Sequence, residues 1–173
     1  GVYFDGDFHL YLFSSDYNSN FSEFSIAKGK VGYAFSILPK LTGRIFSESG
    51  FRIGSAESNT LDFFLGGYGN DFINNFVPFY GYDFISISGD SYIKGMVELD
   101  YEVFNKNHIS ASANFANVEN NLYATGNWFS NPKYTGYALG YGLETLLGPV
   151  EVKYSFSPEI KESQWFFSLG FWF

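Results

Sequence analysis

Gln164-Trp165-Phe166-Phe167-Ser168-Leu169-Gly170-Phe171-Trp172-Phe173 reads with a period of two. Trp165, Phe167, Leu169, Phe171 and Phe173 fall on one face, and Phe166, Ser168, Gly170 and Trp172 on the other. A helix would need apolar residues three and four apart with polar residues between them, so this is a strand. An aromatic strand ending on a bare Phe is a liability in water. In lipid it is at home, because a barrel pairs both edges of its sheet and turns the aromatic face toward acyl chains. The competing reading, a strand of a soluble sandwich or lipocalin-like barrel, predicts a chain that stays dispersed without detergent.

The composition agrees with a strand-built membrane protein. Hydrophobic residues make up 46% of the 173, yet the mean hydropathy is only −0.07, as period-two dilution of apolar by polar residues produces. Aromatics reach 23%, in excess of what a soluble core uses and in keeping with lipid-facing bands and interfacial girdles. No run of apolar residues is long enough for a membrane-spanning helix. Cysteine is absent, which removes thiol catalysis, disulfides and thiolate metal sites. A net charge of −8 argues against nucleic acid as partner. Gly1-Val2-Tyr3 begins inside a strand pattern, without a basic region or apolar core, so the chain is expected to be a processed or excised piece.

Nine strands are predicted along the chain. Val2 to Phe13 alternates with its even residues outward. Phe21 to Phe35 is less regular, its facing ambiguous, with Gly29 and Gly32 permitting a bulge. After Pro39, Thr42, Arg44, Phe46, Glu48, Gly50 and Arg52 share one face and Ile45, Phe51 and Ile53 the other. Thr60 to Leu65 leads into a long irregular region, Gly66 to Asp90. Then Ile93, Gly95, Val97, Leu99, Tyr101 and Val103 oppose Tyr92, Lys94, Met96, Glu98, Asp100 and Glu102. Ile109 to Phe115, Thr135 to Glu144, Val150 to Phe156 and Gln164 to Phe173 complete the set. The pattern is an all-β, antiparallel up-and-down transmembrane β-barrel of about eight strands. A single-chain barrel wants an even number, and the irregular first or second segment is the expected odd one out. With Phe173 at the periplasmic side, the loops 66–90, 117–133 and 157–163 fall outside.

The long loop carries a family resemblance. Phe63-Phe64-Leu65-Gly66-Gly67, Val77-Pro78-Phe79-Tyr80-Gly81-Tyr82, Gly89 and Gly95-Met96-Val97-Glu98-Leu99 together resemble the C-terminal half of the bacterial surface-antigen barrel. That superfamily holds the outer-membrane assembly and two-partner-secretion transporters, whose sixth extracellular loop bears Val-Arg-Gly-Tyr. Tyr80 stands where the Arg belongs, so Arg-mediated anchoring of the loop inside the barrel does not carry over. The Pro-Phe-x-Gly version, Pro78 to Gly81, is more similar to the translocator of patatin-like autotransporters. The resemblance implies residues 1–173 as one outer-membrane barrel domain anchoring or exporting an N-terminal passenger, in the bacterial outer membrane. It also implies as partners the lipid bilayer and the barrel-assembly machinery, which would read Trp165, Phe167, Leu169, Phe171 and Phe173 as an assembly signal.

An enzyme is not expected. Gly89-Asp90-Ser91 is like a hydrolase block and Asp5-Gly6 like half of a patatin dyad, but no Gly-x-Ser-x-Gly elbow exists and His9 and His108 stand alone. The second hypothesis, an outer-membrane lipid-modifying enzyme, requires phospholipid hydrolysis lost in Ser91→Ala. A small porin-like pore is a further alternative. No cofactor or metal is called for.

On the inner face, Glu98, Asp100, Glu102, Glu144 and Glu151 gather toward the periplasmic mouth with Lys94 and Lys153 among them, while Arg44, Arg52 and one of Lys28 or Lys30 approach from other strands. A narrow lumen requires these charges to pair; a wide, wet one leaves them solvated. Gly136, Gly140 and Gly142 are expected to leave room for aromatic neighbours or an inserted loop. The many small inner residues would fill an eight-stranded barrel poorly. Two copies are therefore expected to pair edge strands into a shared sixteen-stranded barrel, a homodimer without open edges.

Overall fold

The computed structural model describes residues 1–11, 24–54, 62–69 and 75–170. Eight long strands form one antiparallel meander: β1 (Val2–Tyr11), β2 (Phe24–Leu38), β3 (Leu41–Gly54), β7 (Ser91–Phe104), β8 (Asn107–Glu119), β9 (Tyr134–Thr145), β10 (Gly148–Ser157) and β11 (Glu162–Leu169). Between the third and seventh, β4 (Phe63–Leu65), β5 (Phe76–Val77) and β6 (Ile87–Gly89) make a separate three-stranded sheet in the order β5-β4-β6. One helical turn, α1 (Leu122–Thr125), and a 3-10 turn at Asn127–Phe129 sit in the connection from β8 to β9. Among the described residues, no helix is long and apolar enough to cross a membrane.

Alternation sets the two faces. Val2, Phe4, Phe8 and Leu10 of β1, Val97, Leu99 and Tyr101 of β7, Tyr137, Leu139 and Tyr141 of β9, and Trp165, Phe167 and Leu169 of β11 are exposed on the outer face. On the inner face Tyr92, Lys94, Met96, Glu98, Ser110, Ser112 and Asn114 are buried. The register resolves the facing of the second strand: Tyr3 lies opposite Gly32, Asp5 opposite Lys30 and Asp7 opposite Lys28, so both lysines point inward while Val31 and Tyr33 face out.

Two expectations are corrected. The first and second segments both pair in full, and the odd one out is Thr60–Leu65, whose residues 63–65 join the small sheet instead. Neither Gly29 nor Gly32 bulges, because each keeps a regular partner on β3; the register shifts between Ser36 and Leu38, next to the Pro39–Lys40 turn. The region 66–90 also carries two short strands, β5 and β6.

The short turns at 39–40, 105–106 and 146–147 lie at one end of the sheet, together with Gly1, bonded to Ala34, and Gly170, bonded to Pro149. The longer connections, including 62–90 and 120–133, lie at the other end. β1 and β11 are the two ends of the strand order, and among the described residues they are not hydrogen-bonded to each other.

Candidate functional site

The connection between β3 and β7 folds onto the inner face and supplies the hydrophobic core. Phe63, Leu65, Val77, Phe79, Tyr82 and Ile87 pack against Tyr92, Ala116 and Val118 of the sheet. Tyr80 packs with Met96 and Ala138, flanked by Phe46 and Tyr68. A strand whose inner face is small or polar cannot make such a core alone; the aromatic loop fills the space left by Gly136 and Ala138.

Within the loop motif, Phe79, Tyr80, Gly81 and Tyr82 are buried and Pro78 is half-buried. Asn114 of β8, fully buried, binds the Tyr80 backbone from both sides. Its Oδ1 accepts from the Tyr80 N–H at 2.8 Å, and its Nδ2 donates to the Tyr80 carbonyl at 3.3 Å and to Gly136 at 3.2 Å. A Cβ at position 136 would lie 1.8 Å from the Tyr80 carbonyl oxygen, so the inner glycine makes room for the inserted loop. Gly81 has φ +87°, and a Cβ there would stand 2.8 Å from the Phe156 carbonyl. Lys94 Nζ donates to the Pro78 carbonyl at 2.6 Å.

Lys153 of β10 is the cation at the centre. Its Nζ donates to the Tyr80 hydroxyl at 3.0 Å and lies 3.2 Å from Glu151 and 3.6 Å from Glu98. It also sits over the rings of Tyr68 and Tyr80, at 5.1 and 5.2 Å from their centroids. Tyr68 in turn donates to Glu151. Arg44 meets Glu98 at 2.5 Å. Where the resembled family puts a loop arginine, this chain puts a loop tyrosine and supplies the positive charge from the wall.

Of the charges expected in the lumen, Arg44, Glu98 and Glu151 thus come together around Lys153. Lys94 pairs with Glu48 at 3.7 Å, and Glu48 also accepts from Tyr92 at 2.8 Å. The register strings Asp5, Lys30, Glu48 and Lys94 into a row of alternating sign across four strands. Asp100 and Glu144 stand apart at the short-turn end, at 2.7 and 3.7 Å from His108, and Glu102 lies opposite His108 in the register. Arg52 belongs to the other end: it pairs with Asp62 at 3.1 Å and Asp90 at 3.9 Å, tying the start and finish of the loop to β3.

Ser91 is fully buried, and its hydroxyl donates to Asp90 at 2.6 Å, where Asp90 also accepts from the Asn121 amide. Trp165, Phe167 and Leu169 of the terminal strand project outward; Phe171 and Phe173 lie outside the described residues. Sequence reasoning did not single out Tyr68, Asn114 or Glu159. Glu159, in the turn before β11, accepts from Thr135 (2.6 Å), Ser157 (2.8 Å) and Tyr82 (3.2 Å). Partial burial pushes its carboxyl up, but the hydrogen bonds from Thr135, Ser157 and Tyr82 prevail and hold it below the usual carboxylate range. Only Asn114 left a signal in the sequence, as the one amide in an inner row of serines.

An antiparallel sheet with an apolar outer face, a charged inner face and a loop packed inside it defines an outer-membrane-type β-barrel protein. The family model described as the OMP85 superfamily matches residues 1–173, and the chain belongs to that superfamily. This is the surface-antigen type of barrel that the loop motif resembles, and membership points to the bacterial outer membrane. Comparison with curated proteins gives no match.

Proposed function

We propose that this chain is the translocator and membrane anchor of an autotransporter-like protein, holding or exporting a passenger attached N-terminal to Gly1. The observation that carries the reading is the buried Phe79-Tyr80-Gly81-Tyr82 segment, held to the inner wall by Asn114 and Lys153. A loop so placed packs on the inner face as far as Ile26 of β2 and leaves the described residues of β1 exposed, next to the strand from which a passenger would continue. The Pro-Phe-x-Gly form of that loop supports the patatin-like subgroup. In this reading the chain has no catalytic role of its own, Ser91 being a buried structural hydroxyl, and its partners are the bilayer, the assembly machinery and the covalent passenger.

Two copies complete the barrel. Each edge strand continues the outer apolar row, Val2, Phe4, Phe8 and Leu10 on β1 and Trp165, Phe167 and Leu169 on β11. The two edges run antiparallel, as the ends of an eight-stranded meander must, so β1 of one copy can pair with β11 of the other. The function is tested by fusing a folded reporter to Gly1 and assaying intact cells. Protease-accessible reporter on the cell surface is expected, and a reporter retained in the periplasm by a correctly inserted barrel overturns passenger export.

A further inference from the structure

The connection from β8 to β9 divides: Asn120 and Asn121 bond to Asp90 at the long-loop end and Leu122 is buried, while residues 128–132 fold back over the outer face. Asn117 lies on the outward row of β8 yet is buried, because the loop covers it. Its Nδ2 donates to Asn127 and Ser130 carbonyls at 3.4 and 3.2 Å, and its Oδ1 accepts from the Lys133 N–H at 2.9 Å. Pinned there, Trp128 meets the outward ring of Phe51 edge-on at 6.1 Å, while Phe129 is 92% exposed. Beneath these rings the wall is cut away. Ser47 and Gly95 face each other in the register of β3 and β7, and a Cβ on Gly95 would meet nothing within 4 Å. The result is a groove of about 310 Å³ floored by Ser47 and Gly95, walled by Ile93 and Phe115, and overhung by Trp128 and Phe129. Its volume is in the range of small-molecule sites.

We propose that this groove holds one acyl chain of a lipid from the bilayer leaflet beside the long-loop end. The groove is continuous with the outer apolar rows of Val97, Leu99 and Tyr137 that the bilayer covers, so an acyl chain enters sideways without leaving hydrocarbon. The polar groups at its upper rim are already used in pinning the loop, which leaves apolar contact as the recognising chemistry. Trp128 lies in the β8–β9 connection, just past the strand ends, where barrels of this type carry an aromatic girdle.

The full chain, extracted in mild detergent, is tested by native mass spectrometry after detergent exchange. The unaltered protein is expected to retain one phospholipid per chain. Gly95→Leu fills the floor from open space, and Phe129→Ser removes an exposed ring; each is expected to lower lipid occupancy on the order of tenfold, the loss of contact with about two methylenes. Unchanged heat-modifiable migration controls for folding, and Phe129→Ser carries the test should Gly95→Leu fail it. In a Trp165→Phe, Trp172→Phe background, lipids brominated on the acyl chain are expected to quench Trp128. Any of three results overturns the proposal: no retained lipid, occupancy unmoved by both variants, or detergent held as well as lipid. A change of oligomeric mass in Gly95→Leu would assign the groove to a second copy and overturn it as well.

Discussion

Tyr80 has its backbone and its hydroxyl held by different strands. Asn114 takes the N–H and carbonyl, and Lys153 takes the hydroxyl. Asn114→Ala strands a buried N–H and should cost about 1–3 kcal/mol in urea unfolding of the reconstituted protein. Lys153→Met should cost at least as much, on the order of 2–3 kcal/mol, because Glu151 loses its ion pair and the buried Glu98 keeps only the more exposed Arg44. Equal and negligible losses for the two variants would mean that the loop is not held through these groups. Gly136→Ala adds a methyl against the Tyr80 carbonyl and should release the loop to protease without removing any polar partner. The departure from arginine at position 80 was legible in the sequence. Its consequence was not, because the residue that answers it is 73 positions away, on a strand whose register the sequence leaves open.

At the scale of elements, the loop between β3 and β7 is the core of the molecule rather than a surface excursion. Glu159 secures its Tyr82 end to the turn before β11. Since that carboxyl titrates below its ordinary range, the hold is complete at and above the ordinary carboxylate pKa and is lost as pH falls through the lowered value. Protection of the 79–82 amides, taken relative to their intrinsic exchange rate at each pH, should therefore stay high from neutral pH down to the carboxylate range and fall only below it. Glu159→Gln should abolish that acid transition, and an unchanged transition in the variant would place its cause elsewhere. The terminal strand makes a separate prediction. Trp165, Phe167 and Leu169 already face outward, and Phe173 continues their parity. Phe173→Asp should reduce membrane insertion with expression intact, read as loss of the heat-modifiable band. A normal band in the outer-membrane fraction would remove the assembly role.

For the whole molecule the edges decide the assembly: among the described residues β1 and β11 are not hydrogen-bonded to each other, and an edge strand exposes backbone groups that lipid cannot satisfy. Two eight-stranded sheets sum to sixteen strands and leave none. The detergent-corrected particle mass should be that of two chains, with Phe4→Cys and Phe167→Cys forming an intermolecular disulfide in the double variant. A monomeric mass would leave closure to β1 and β11 of the same chain. In a shared barrel the two inserted loops, each packed on the inner face of its own chain from Ile26 of β2 to Lys153 of β10, lie side by side in the lumen.

What the sequence alone determined is what period two fixes locally: the eight long strands, the apolar outer and polar inner faces of all of them but the second, and the positions of the short turns. Alternation is local, so Val97 and Leu99 are placed outward and Lys94 and Glu98 inward without knowing any neighbour. It also marked Gly136, Gly140 and Gly142 as inner positions with room for aromatic neighbours or an inserted loop, and of the three only Gly136 lies against the loop. Only the tertiary structure decided which strand stands out of the large sheet, how the second strand faces, and which charges meet. Those depend on pairing register and on where a long loop comes to rest, and both are set by contacts between residues far apart in the chain. Thr60–Leu65 has the pattern of a barrel strand, yet Phe63 and Leu65 are worth more buried against Tyr92 than paired beside β3. Arg52 has the parity of Arg44, yet it meets Asp62 and Asp90 instead of Glu98, because eight residues along a strand separate the two ends of the lumen by about 26 Å.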